Sequence, residues 1–348
     1  MPTIYDLVRA PEIAAYYQTN PSNAIPYLGA TLFPADKKLG LDLSWIKGSS
    51  GLPVALMPSA FDTKATLRDR IGFSKVETEM PFFREAMRIG EKERQELLRL
   101  AETNNGAYVE AIIRQIYDDV NNLVGGAEVN AERMRMQLLS TGKILITANR
   151  QNYDYDFKMK SGHKITLTGT DKWSDSANAD IIGDVQEWQD LIEDEQGVRP
   201  MKAICTRKTW GYILKNAKIK LDMNPLGGQN IIMTDALMKA YLLNKLGLTV
   251  AVYNKKFALQ DGSSNLFFPD DTFTLIPDGN LGKTWFGTTP EEADLMSGAT
   301  EAEVSIVNTG VAITTIKEPH PVNVETIVSE IVLPSFEQID NIFIAKVA

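Results

Sequence analysis

Residues 112–124 read IIRQIYDDVNNLV, followed by Gly125-Gly126 and then by AEVNAERMRMQLLSTGKILITAN over 127–149. Ile112, Ile116, Val120 and Leu123 recur every three to four positions, with Arg114, Gln115, Asp118 and Asp119 on the other side. That spacing predicts an amphipathic helix. Extended back to residue 91 it would run roughly 50 Å at 1.5 Å per residue. Gly106, after Asn104-Asn105, weakens it by about 1 kcal/mol against alanine. Gly125-Gly126 is expected to end it, with a second helical stripe in Ala131, Met134, Leu138 and Leu139. The period then switches to that of strands: Lys143–Asn149, Tyr153–Lys160 and His163–Gly169, split by turns at Gln151-Asn152 and Ser161-Gly162. A long helix followed by a run of strands gives an α+β class.

Further on, helices and strands alternate. Ile181, Val185, Trp188 and Ile192 mark a helix, with Asp180 as N-cap and Gly197 as its stop. Met201–Thr206 reads as a short buried strand, Arg207–Ala217 as a helix, Asp235–Leu246 as a helix closed by Gly247, and Leu248–Tyr253 as a strand. Residues 255–288 read as a meander with turns at Asp261-Gly262 and Asp278-Gly279, and Val304–Ile316, Val322–Leu333 and Asn341–Val347 return to β.

Towards the start, Leu39, Leu41, Leu43 and Trp45 alternate as one strand face, Gly48-Ser49-Ser50-Gly51 supplies a turn, and Leu52–Met57 is a second apolar run. Pro58–Pro81 carries Lys64, Arg68, Asp69, Arg70, Lys75, Glu77 and Glu79 but few core residues. It reads as a two-stranded charged projection, which is marginal alone and needs something to lie on. The first 40 residues carry two apolar clusters, Ile4, Leu7, Val8 and Ile13, Tyr16, Tyr17, with Pro11 between them and Pro21, Pro26 and Pro34 beyond. They read either as a cap on the chain's own core or as an arm along a neighbouring subunit.

Composition narrows the function. The 348 residues hold 36 Lys and Arg against 45 Asp and Glu, a net charge of −9, which disfavours a nucleic-acid reader held by counterion release. Asp6, Arg9 and Glu12 interrupt any secretory segment, and no window has the apolar length of a membrane span. A single cysteine, Cys205, excludes an intrachain disulfide and any multi-cysteine metal site. The reading is a protein of a reducing cytoplasm.

No chemical motif stands up. Gly279-Asn280-Leu281-Gly282-Lys283-Thr284 ends like a phosphate-cradling loop, but Pro277 stands where that loop needs a glycine N–H. Asp154 and Asp156 would share a strand face beside a turn, with no third ligand at fixed spacing. Asp270-Asp271 is a turn signal. His163 follows Gly162 in a turn and His320 sits between prolines, so neither has a supported general-base position. Cys205 reads as a small buried strand residue. Catalytic, cofactor and metal residues are therefore expected to be none.

With this organisation, the chain resembles tailed-phage major capsid proteins of the lambda-type capsid protein E family. The likeness lies in element order and in two denser patches. One is Tyr27-Leu-Gly-Ala-Thr-Leu-Phe-Pro34 leading into the strands of 39–57. The other is Phe267-Phe268-Pro269-Asp270-Asp271-Thr272-Phe273-Thr274-Leu275, then Thr284-Trp285-Phe286-Gly287 and Glu291-Glu292-Ala293. The ending, a strand after Asn323 closed by Pro334, then Phe336-Glu337 and a last strand, also fits. The resemblance implies an α+β, Hong Kong-97-type capsid fold. Its parts would be an N-terminal arm (1–40), a strand pair with extended loop (41–90), and a peripheral domain with spine helix (91–175). An axial domain (176–300) and C-terminal strands returning to the peripheral domain (301–348) would complete it.

The resemblance also implies self-assembly into an icosahedral virion shell around packaged DNA, built of hexamers and pentamers in the host cytoplasm. Partners would be copies of the chain itself, a portal and a decoration protein. No long charged coiled coil precedes residue 40, which points to a separate scaffolding protein. No cofactor, no membrane contact and no sequence-specific nucleic-acid binding are implied. Arg68, Arg70, Lys75, Glu77 and Glu79 are the expected subunit-interface residues. Two rival readings stay open: another phage structural protein, of tail or decoration type, and an α+β enzyme with an unrecognised site.

Overall fold

A computed structural model describes residues 9–19, 26–47, 74–92, 95–96, 99, 106–148, 151–227, 231–259, 261–298, 302–320 and 322–348. The chain forms two compact units, one within 1–43, 77–134 and 283–335, the other within 44–76, 135–282 and 336–348. In chain order the elements begin with α1 (Ala10–Thr19), α2 (Leu28–Leu32), β1 (Ala35–Lys37), β2 (Asp42–Lys47), β3 (Ser74–Glu79), β4 (Phe82–Ile89) and α3 (Gly106–Thr141). There follow β5 (Lys143–Ala148), β6 (Gln151–Asp156), β7 (Lys164–Thr166), α4 (Ile181–Gln196), β8 (Lys202–Cys205), α5 (Arg207–Lys215), α6 (Ala217–Met223) and α7 (Asp235–Leu246). Then come β9 (Thr249–Val252), β10 (Lys256–Ala258), β11 (Ser264–Leu266), β12 (Thr272–Ile276), β13 (Thr284–Phe286) and α8 (Pro290–Ser297). The last elements are β14 (Glu303–Val307), β15 (Val311–Pro319), β16 (Val322–Pro334) and β17 (Phe343–Lys346).

The first unit is built on a sheet of order β1-β13-β16-β15-β14, with β4 also paired to β16. β16 pairs antiparallel with β15 from Val311↔Glu330 to Pro319↔Val322, and with β4 from Ile331↔Phe82 to Val324↔Ile89. Its end, at Val332 to Pro334, pairs with β13. Val120, Val124 and Ala127 of α3 and Ala10, Ile13, Ala14 and Tyr17 of α1 share one core with Val307, Val311, Ile313, Val324 and Val328. Residues 10–19 are thus seated on their own subunit's core, which favours the cap reading for that segment; Ile4, Leu7 and Val8 lie outside the described residues. Pro11 does not divide a helix but sits in the first turn of one, where its missing N–H has no partner to lose.

Several sequence expectations need correction; the turn placed at Gln151-Asn152, for one, is strand, with these residues paired to Ala148 and Thr147. Gly125-Gly126 does not end the helix: α3 runs unbroken from Gly106 to Thr141. Neither glycine takes the positive φ of a helix stop. The buried stripe of Val120, Val124, Ala127, Ala131 and Met134 continues across them and offsets their low propensity. Leu39 and Leu41 do not join a strand face: they are 74% and 42% exposed, because Gly40 at φ 85° turns the chain just before β2. Val304–Ile316, read as β, forms a hairpin turned at Asn308 with φ 51°. Gly310 is required there, since a Cβ would lie 2.7 Å from Phe286 Cβ. Finally, the last strand does not go back with β14–β16. β17 lies between β7 and β12 in the second unit's sheet, because Phe343, Ala345 and Val347 alternate into that unit's core. The boundaries at 175, 300 and 301 differ accordingly: β7 belongs with the α/β elements and β13 with the first unit.

The second unit holds the sheet β7-β17-β12-β8-β9, with β17–β7 and β8–β9 parallel and the pairings of β12 antiparallel. Its helices α4, α5 and α7 follow the sequence signals closely, whereas α6 is not among the expected elements: Asn216 ends α5 and caps a new helix by accepting from the Ile219 N–H at 2.9 Å. Asp180 accepts from the Gly183 N–H at 3.2 Å at the start of α4, and Gly197 closes it at φ 71°. Thr234 caps α7 and Gly247 stops it at φ 64°. Trp173 stacks on Trp188 with ring centroids 5.8 Å apart, and Trp188 on Phe343 at 5.1 Å. The other strand pairs are hairpin β5–β6, hairpin β10–β11 and the ribbon β2–β3.

Two glycine substitutions test this account of the first unit. Gly126→Ala, with open space around its Cβ, should stabilise by about 0.5–1 kcal/mol in urea unfolding. Gly287→Ala should destabilise by about 1–3 kcal/mol through overpacking. Its Cβ would meet Ile331 Cγ2 at 2.6 Å, and Gly40 O and Met80 Cε at 3.0 Å.

Candidate functional site

Most residues that resemble chemistry in the sequence are engaged in holding the fold. His163 is fully buried, with Nε2 3.2 Å from Glu195 Oε2. That carboxylate also accepts from Lys160 Nζ at 2.7 Å, and Lys160 first, then His163, holds it below the usual carboxylate range. No local spacing announced this contact, because the partners stand 32 residues apart. His320 is exposed in the turn between β15 and β16. Cys205 is buried at the end of β8, and burial pushes its thiol up to about 12, far from a reactive thiolate.

The loop that ends Gly282-Lys283-Thr284 leads into β13. Lys283 Nζ pairs with Asp36 Oδ2 at 2.6 Å, and Thr284 Oγ1 donates to the Phe33 carbonyl at 2.8 Å. Both groups that a phosphate would need fasten β1 to β13. Asp156 pairs with Lys143 Nζ at 2.9 Å, and that hydrogen bond lowers its carboxyl to about 2, whereas Asp154 is exposed. Asp270 accepts from Thr206 Oγ1 at 2.5 Å. Asp271 accepts from Lys208 Nζ at 2.7 Å and Tyr212 Oη at 2.9 Å, contacts that hold its backbone at φ 61°. Among the described residues no group of three His, Cys, Asp or Glu is placed to hold a metal ion. Among them also, no helix is long and apolar enough to cross a membrane.

What remains is surface. Of the residues expected at a subunit interface, Arg68 and Arg70 lie outside the described residues. Lys75 and Glu77 fall on β3, and Glu79 is exposed at its end. The chain is then pinned: Met80 is 2% exposed, and its N–H donates to the Leu41 carbonyl at 2.9 Å. β4 follows, bound along one edge to β16, with Arg84, Glu85, Met87 and Arg88 exposed.

The sequence reading missed the polar clamp on this base. Arg84 pairs with Glu291, which also accepts from Ser329 Oγ at 2.9 Å, while Lys37 Nζ meets Glu292 Oε2 at 2.5 Å. A signal was present in Thr289-Pro290-Glu291-Glu292. Thr289 caps α8 by accepting from the Glu292 N–H at 3.3 Å, which fixes where both carboxylates begin. The arrangement anchors the root of the charged ribbon β2–β3.

Comparison with known proteins agrees with a structural role. A family model described as phage major capsid protein E matches residues 10–347. Among solved structures, a protein described as a prophage capsid protein from Escherichia coli CFT073 is 16% identical, with 98% of this chain and 99% of that one covered, at a TM-score of 0.61. A phage-related protein from Bordetella bronchiseptica RB50 is 14% identical over 97% and 98%, at 0.56. The capsid asymmetric unit of cyanophage A-1(L) is 12% identical over 92% and 91%, at 0.50. Identities this low speak to the fold alone, which is the Hong Kong-97-type capsid fold. No curated protein sequence matches the chain.

Cys205 gives a check on the chemical account. At pH 8 a chromogenic thiol reagent should leave the folded protein unlabelled and titrate one thiol per chain in denaturant. Rapid labelling of the folded form would contradict its burial.

Proposed function

We propose a division of labour within this chain, which belongs to the phage major capsid protein E family. It is a structural, non-enzymatic protein, the major capsid protein of a tailed phage, and its copies form the head shell of the virion. The observation that carries this is the family match across residues 10–347.

In the proposed arrangement the first unit, with α3 as spine helix and the β16 sheet beneath it, acts as the peripheral domain. The second unit acts as the axial domain. Residues 58–82 act as the extended loop that reaches a neighbouring subunit, with Arg68, Arg70, Lys75, Glu77 and Glu79 at the contact. Support comes from the pinned root at Met80 and β4, which gives a charged ribbon with little core of its own a fixed base. Mixed charges of this kind suit a contact that selects its partner more than it tightens binding. Hexamers and pentamers, assembled in the host cytoplasm with a separate scaffolding protein, a portal and a decoration protein, complete the proposal. The net charge of −9 suits a shell whose DNA must slide in and later leave, without sequence-specific binding.

The test is assembly. Arg68→Glu with Arg70→Glu should give folded subunits, by circular dichroism and cooperative unfolding, but no shells by electron microscopy. Normal shells from that double variant would remove the extended-loop contact from the proposal.

A further inference from the structure

The second unit carries two surfaces of opposite character. Helix α4 bears Asp184, Glu187, Asp190, Glu193, Asp194 and Glu195, and no lysine or arginine. Three of these stand in its last turn, where the helix dipole disfavours negative charge. Neighbours within the chain answer most of them: Arg199 reaches Asp190 and Glu193 at 2.5 Å, Lys160 reaches Glu195 at 2.7 Å, and the Trp173 indole donates to Asp184 at 2.8 Å. Glu187 and Asp194 have no ion pair among the described residues. Together with Gln186, Asp190 and the partly buried Leu191 they form one open face of α4, since every residue there, from Gly183 to Glu195, belongs to this helix.

The other surface is basic and apolar. Lys215, Lys218 and Lys220 likewise have no ion pair among the described residues. Beside them in the chain, Leu221 is 57% exposed, Leu226 100% and Ile232 87%. These apolar groups do not stand out because the helix has come loose. Asp222, next to Leu221, accepts from Tyr241 Oη at 2.6 Å and Lys245 Nζ at 3.0 Å on α7. Asn216 caps α6 and donates to the Ala179 carbonyl at 3.0 Å. The helix is fixed and holds Leu221 outward, and Leu226 is exposed in the turn beyond its end.

We propose that the two surfaces are halves of one contact between copies of this chain, with Lys215, Lys218, Lys220, Leu221 and Leu226 of one subunit laid against the acidic face of α4 of the next. The proposal rests on the shell-forming reading and names where two copies meet. Charge complementarity selects that face: Glu187 and Asp194 would meet lysines that form no ion pair at home among the described residues, and Leu191 offers the leucines an apolar contact. Because the two halves are different residues, the contact is head-to-tail and propagates from copy to copy, closing a ring where the rotation allows.

Disulfide trapping tests this, since the native Cys205 is buried. Particles of Leu226→Cys/Gln186→Cys, oxidised and run on a denaturing non-reducing gel, should give a ladder beyond dimer, and either single variant monomer only. Particles of the double variant that yield no ladder overturn the proposal. So does a dimer from Leu226→Cys alone, which would mean that like surfaces meet. A charge swap gives an independent reading: Lys215→Glu/Lys218→Glu and Glu187→Lys/Asp194→Lys should each lower particle yield at least tenfold. Combining them should recover it, and failure to recover counts against the proposal. Failure of the unaltered chain to form particles would strike the shell reading instead.

Discussion

Every pairing in the first unit's sheet runs through β16 or through a strand that β16 holds. A strand bonded along both edges has no backbone group to spare, so its neighbours are placed by register and not by side-chain choice. β4 is fixed to it from Phe82 to Ile89, β15 from Val311 to Pro319, and β13 takes the end at Val332–Pro334. The burial along β16 is correspondingly close to continuous, polar residues such as Asn323, Thr326 and Ser329 included. The root of the charged ribbon inherits its position from this register. Arg84, Glu291, Lys37 and Glu292 then lock the root from the side, through partly buried ion pairs whose individual worth is modest and whose common effect is orientation.

The groups most able to do chemistry are already engaged in holding the fold. Lys283, Asp271, Asp156 and His163 each have the functional group that an active site would use. Each already has a partner that holds a turn, a helix start or a strand pair in place. A carboxylate at about 2 and a thiol at about 12 are both far from the range where acid–base or nucleophilic work is done near neutrality.

Local signals were well legible and distant ones were not. Asp180, Gly197 and Gly247 act within one turn of where they stand, so the limits of α4 and the end of α7 followed from the residues alone. Gly125-Gly126 misled because propensity is a local preference of about 1 kcal/mol per glycine, and here the stripe packed on β14–β16 outweighs it. The destination of β17 was hidden for a similar reason: Phe343, Ala345 and Val347 show a period of two, but not which sheet they face. His163 with Glu195, and Glu291 with Arg84, are pairings across long stretches of chain that one sequence does not display. The family likeness supplied what spacing did not, chiefly the meaning of the segment from Phe267 to Leu275.

The place of β17 bears on the time course of synthesis. Residues 164–166 and 272–276 leave the ribosome long before 343–346, yet β17 is the strand that joins them. Until it arrives, β7 has no mate and β12 shows a bare apolar edge, the kind of edge that invites pairing with the wrong chain. The sheet therefore closes only after translation has passed residue 346, by long-range pairing that is intrinsically slow. Nascent chains spend that interval incomplete, so a truncated product would enter the cell as a seed for aggregates rather than as a building block.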